Sequence, residues 1–166
     1  MFVQIGLVLV AGRANLELST TPPTPWLQYF VAWERVYTVN EFWDRVRLGV
    51  ADVEGVPHIY QSPFDSLRDD FSDFYLVSPI HSELLALVLE DWEIWVRWSV
   101  AYDHGETSRE THPCLPEDRK RHEEIESLID GRMVPDSGNC RTLKARFRQV
   151  APGWNGLEVE WCEYAP

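Results

Sequence analysis

Between Ile80 and Tyr102 the chain carries neither Gly nor Pro, and its apolar residues recur at helical spacing. At about 100° per residue, Leu84, Leu85, Val88, Leu89, Trp92, Trp95, Val96, Val100 and Tyr102 fall on one broad arc, the pattern by which a helix addresses a core. Ser78 supplies an N-cap residue and Pro79 suits the first helical position, so the spacing predicts a helix over 79–102. At ~1.5 Å per residue such a helix runs the length of a small domain, and whatever else folds must pack along it.

The side of this helix opposite the arc is the anomaly. Leu87, Ile94 and Trp98 lie there, interleaved with Glu83, Glu90, Glu93 and Arg97. A face that met only water would not look like this. Either the N-terminal segment or a second helix covers the three, or they form an apolar patch rimmed by carboxylates. The latter is the composition of a partner site in which Trp supplies the anchoring area.

Strands are expected on both sides of the helix. The runs 47–53 and 56–62 flank Glu54-Gly55, a two-residue hairpin signal. Its register sets Val53 opposite Val56, Ala51 opposite His58 and Gly49 opposite Tyr60, with Val50 and Ile59 paired on the reverse face; the missing side chain at Gly49 leaves room for the Tyr60 ring. The stretch 28–38 reads as a further strand, although Trp33–Tyr37 also fits a helical turn, and 74–78 reads as another. A polar loop with four aspartates is expected over 62–73, and a shorter, strongly charged helix over 117–129. Two alternating strands, 141–150 and 157–164, are joined by a turn rich in Pro, Gly and Asn. The fold class is therefore α+β: a curved antiparallel sheet packed on one long Trp-rich helix, with a second helix alongside. Residues 1–25, ending in the Pro-rich run Thr20–Pro25, read as an appendage and linker, and 26–166 as a single domain. The apolar run 2–12 has no Lys or Arg before Arg13 and is shorter than the ~20 residues of a membrane span, so it reads as a strand or leader segment rather than an export signal.

Charge narrows the function classes. Over 166 residues, 27 Asp and Glu against 15 Lys and Arg leave a formal net charge of -12. This argues against a binder of nucleic acid or of anionic membranes and favours a basic partner. The local excess is greatest over 52–73, where Asp52, Glu54, Asp65, Asp69, Asp70 and Asp73 face only Arg68. Arg141, Lys144, Arg146 and Arg148 are the one basic run, and Glu158 and Glu160 alternate to match them on the next strand, so cross-strand ion pairs are expected. Glu117 with Arg121 and Lys120 with Glu124 stand at i,i+4 on the charged helix.

Motifs for chemistry are sparse. Cys114, Cys140 and Cys162 form no C-x-x-C pair, which points to a reduced, cytoplasmic setting; Cys140 and Cys162 sit at the outer ends of the last hairpin. His58, His81, His104, His112 and His122 show no metal spacing, Asp65–Asp73 lacks the oxygen pattern and Gly of a calcium loop, and no nucleotide-binding Gly motif or G-x-S-x-G elbow is present. No metal or cofactor is expected. Three readings follow. The favoured one is a small non-enzymatic interaction protein, inhibitor- or immunity-like, for a basic macromolecular partner, with contacts from Leu87, Glu90, Ile94, Trp98, Asp69, Asp70 and Asp73. The second is an acid–base or metal-dependent hydrolase built on His58 with Asp65, Asp69 or Asp70. The third is an accessory subunit of a larger assembly.

Overall fold

The computed structural model describes residues 32–164; the N-terminal run, the Pro-rich linker and the start of the first expected strand lie outside the described residues. The elements are β1 (Glu34–Phe42), β2 (Val46–Val53), β3 (Val56–Gln61), β4 (Phe64–Asp65), β5 (Asp70–Phe71), β6 (Tyr75–Pro79), α1 (Ser82–Asp103), α2 (Arg119–Ile129), β7 (Arg141–Gln149) and β8 (Leu157–Glu163). The mix of strands and helices is the expected one. The curved antiparallel sheet goes further than expected: β1, β2, β3, β6, β7 and β8 close into a barrel, with Glu34 of β1 meeting Val159 of β8.

Closure has a local cause. The β1–β2 register shifts at three places, and each irregularity bends and twists the strand, carrying β1 round to β8. Both sheet edges thereby disappear. The β2–β3 hairpin has the expected register, Gly49 opposite Tyr60 included, and Glu54 and Gly55 both hold positive φ at its turn. The Tyr60 ring fills the place of a side chain at position 49, and its hydroxyl donates to the Thr38 carbonyl at 2.8 Å. Tyr60, Tyr75, Phe147 and Trp161 meet edge-on or tilted, with Val77, Leu143 and Val159 around them, and form the barrel core.

The long helix starts three residues later than expected. Ser78 and Pro79 remain in β6, where Pro79 pairs with His58, and the Ser78 hydroxyl accepts from the Asp136 N–H instead of capping α1. His81 stands at the N-cap and contributes no side-chain bond. Leu84 and Val88 pack on Val50 and Ile59, the face of β2 and β3 turned away from Tyr60, while Trp92 joins the barrel cluster. On the last hairpin Arg146 pairs with Glu160 and Arg148 with Glu158 as expected, but Lys144 reaches Asp73 at 3.1 Å. Of the i,i+4 pairs expected on the charged helix, Lys120–Glu124 forms at 4.0 Å, whereas Glu117 falls before the start of α2 and Arg121 turns to Glu90 of α1. Among the described residues no helix is long and apolar enough to cross a membrane.

Candidate functional site

The outer strip of α1 is closed by the chain itself. Ile94 is 2% exposed and Trp98 7%. Ile94 packs with Cys114 and Ile125, and Leu87 lies half-buried against the same cluster. Segment 107–118 folds back over the helix end: the Trp98 indole N–H donates to Thr111 Oγ1 at 2.9 Å, its ring stacks on Tyr102, and the His112 ring meets it edge-on with centroids 4.5 Å apart. Arg97 holds Asp118 through two nitrogens. Glu90 is likewise engaged, accepting from Arg121 Nε and Nη2 at 2.7 Å each, which holds its carboxyl below the usual carboxylate range. Of the two arrangements open for this strip, the fold builds the covered one: Ile125 of α2 and Cys114 close over Ile94, and Thr111 and His112 close over Trp98, which removes both from an exposed contact surface.

The composition sought there occurs at one end of the barrel. The aspartate-rich stretch expected to be an irregular loop contains a two-stranded hairpin, Phe64 opposite Phe71 and Asp65 opposite Asp70, with the two Phe rings edge-to-face at 5.2 Å. Asp65 Oδ1 accepts from the Leu67 N–H, and Asp69 holds a φ of 54°, so the tip has a set shape. Arginines from the β1–β2 region pin the base. Arg45 donates to the Phe71 and Ser72 carbonyls, and the buried Arg47 guanidinium lies 4.1 Å from the Phe71 ring centre while bonding Asp44 and Ser62. Ser62 in turn donates to the Ser72 carbonyl at 2.8 Å. On this scaffold Leu67 is 96% exposed, Trp43 68% and Phe64 53%. The segments 43–45 and 64–73 also carry Asp44, Asp65, Asp69, Asp70 and Asp73; Arg68 pairs with Asp65, and Arg47 and Lys144 depress the carboxyls of Asp44 and Asp73 by hydrogen bonding. Asp69 forms no ion pair with a described residue.

No protein-family model, curated protein or solved structure matches this chain.

The acid–base candidates do not converge. His58 Nδ1 lies 2.7 Å from the Val56 carbonyl, two residues back on its own strand, and no hydrogen bond or ion pair among the described residues joins it to Asp65, Asp69 or Asp70. Asp65 and Asp70 are occupied with the backbone of their own hairpin. No described group of His, Cys, Asp and Glu has the geometry of a metal site. All three cysteines are free, Cys114 within the α1–α2 cluster and Cys162 on the surface.

The histidine–carboxylate pair that the fold does build is elsewhere. His122 of α2, itself buried, sets Nδ1 2.7 Å from Asp91 of α1, and Nε2 is 3.4 Å from Glu126. The hydrogen bond between Nδ1 and Asp91 Oδ1 fixes the orientation of the ring. The pair lines a cleft of about 1000 Å³ between α1, α2 and the barrel mouth. No serine, threonine or cysteine side chain is hydrogen-bonded to His122 among the described residues. Asp91 and His122 are 31 positions apart on separate helices, so no spacing rule joins them; the one available signal was a carboxylate directly beside the core arc.

Proposed function

We propose that this protein acts by docking a basic protein partner, in the manner of an inhibitor or immunity-type protein, through the 43–45 turn and the β4–β5 hairpin. The observation that carries the reading is Leu67, almost wholly in water at the tip of a hairpin that Arg45 and Arg47 hold in place. A scattered surface leucine needs no explanation. One on a pinned hairpin that also exposes Phe64, in segments that carry exposed Trp43 and five aspartates, has the composition of an interface core and rim. Rigid presentation lowers the ordering cost of association. The net charge of -12 attracts a basic partner and raises the encounter rate, while the apolar trio supplies the lasting contact. Asp69, Asp70 and Asp73 keep the role expected of them; the apolar contribution passes from Trp98 to Leu67 and Trp43. Three free thiols support a reducing, cytoplasmic setting.

The test is site-specific photo-crosslinking in the cells that make the protein, with the photoreactive residue at position 67 and, as a control, at exposed Val150. The expected product is a crosslink to a basic protein, specific to position 67. Its affinity should fall steeply with salt and about tenfold or more in Leu67→Ala, the size of a hot-spot truncation. Equal labelling at both positions, or a partner whose affinity ignores salt and Leu67→Ala, would overturn the reading.

A further inference from the structure

The cleft between the helices and the barrel mouth is separate from the hairpin surface, and its walls have an unusual chemistry. Trp92 and Trp95 of α1 stack with centroids 4.9 Å apart and planes 20° from parallel. Trp154, from the turn before β8, stands across Trp95 at 76° with centroids 5.1 Å apart, and Phe42 meets Trp154 edge-on. The corner is fastened: the Trp92 indole N–H donates to Asn155 Oδ1 at 2.8 Å, tying the turn that carries Trp154 to the helix. Trp95 and Trp154 keep part of their surface in the cleft. The opposite wall is α2 and its C-cap, with exposed Glu123, Glu126 and Asp130 and the buried His122, whose ring is held by Asp91 from the α1 side. No Lys or Arg lines the cleft among the described residues, and Glu123 and Asp130 have no ion-pair partner there.

Two perpendicular aromatic planes facing carboxylates stabilise a cation in two ways at once. The ring faces offer quadrupole attraction to a weakly hydrated charge, and the carboxylates add long-range attraction in a partly dried space. A flat guanidinium stacks on one ring, whereas a rounded alkylammonium touches both sides of a corner. The volume exceeds a bare ammonium group and suits a small organic molecule. We infer that the cleft is a binding site for a small organic cation bearing an alkylated ammonium group, seated at the Trp95–Trp154 corner with Glu123 and Glu126 as its counter-charges.

The probe is choline, followed by calorimetry and tryptophan fluorescence on the full chain, against its neutral isostere in which a tert-butyl group replaces trimethylammonium. The expected result is saturable choline binding that shifts the fluorescence, with the neutral compound at least about tenfold weaker. Glu126→Gln, on an exposed side chain whose loss leaves the fold intact, should weaken choline severalfold and leave the neutral compound unchanged. Trp154→Leu, which removes one side of the corner, should weaken choline severalfold and reduce its advantage over the neutral compound. Guanidinium compounds binding as well as choline would overturn the alkylammonium assignment. No saturable response to choline, or equal affinity for the neutral isostere, would overturn the site. Leu67→Ala should leave choline binding unchanged, so failure here and failure at the hairpin are read separately.

Discussion

Two stretches of this chain interleave large apolar side chains with acids, and the fold treats them oppositely. On α1, Ile94 and Trp98 are sealed beneath α2 and segment 107–118; on the β4–β5 hairpin, Leu67 and Phe64 remain in water. Hydrophobicity does not separate them, since Trp98 is a larger apolar group than Leu67. What separates them is reach. The 15 residues between α1 and α2 let the second helix return antiparallel along the first and set Ile125 against Ile94. The hairpin, two residues per strand, projects from the barrel end, and its sequence neighbours are already committed to the Ser62–Ser72 and Arg47–Phe71 contacts. Mixed composition therefore marks an interface of some kind, and chain geometry decides whether the protein itself or a partner completes it.

Substitutions on the two surfaces should accordingly differ most in stability. Ile94→Ala opens a cavity in a closed cluster and is expected to cost about 2–5 kcal/mol in denaturant unfolding; a loss near zero would mean the strip is open after all. Trp98→Phe keeps an aromatic ring but removes the donor to Thr111 and part of the buried surface, for an expected loss of about 1–2 kcal/mol in the same assay.

The clasp between the helices has a pH signature. Arg121 holds the Glu90 carboxyl below its ordinary value, so the ion pair's contribution is complete above that value and is lost as pH falls through the lowered one. Glu90→Gln should remove this acid-side loss from α2 amide exchange while leaving the exchange of the hairpin amides unaltered. On the hairpin itself, Leu67→Ala should change stability by no more than about 0.5 kcal/mol, because the side chain leaves water no more in the folded protein than in the unfolded one.

Local periodicity carried much of the architecture. Glu54-Gly55 gave away the β2–β3 register, the facing charges of β7 and β8 foretold two of their ion pairs, and the first turns of the core arc of α1, through Leu84, Val88 and Trp92, meet the barrel, whereas Val100 at its far end is exposed and Tyr102 stacks on Trp98. Features that depend on distant pairing were not legible. Barrel closure rests on Glu34 meeting Val159, and nothing in either strand alone names the other. The helix start moved because β6 uses Ser78 and Pro79 for its ladder, a tertiary demand that overrode a good capping sequence. The same limit hid the cleft: Trp154 reads as one residue of a turn, and only the fold brings it to Trp95 and opposite Glu126.

Hydroxyl-radical footprinting of the isolated protein, repeated with the crosslinked partner added, tests the central claim most directly. The expected result is rapid oxidation of Trp43, Phe64 and Leu67 with Trp98 and Ile94 protected, then protection of the first three alone on adding the partner. Oxidation of Trp98 as fast as Trp43 in the free protein, or partner-induced protection confined to α1, would contradict it.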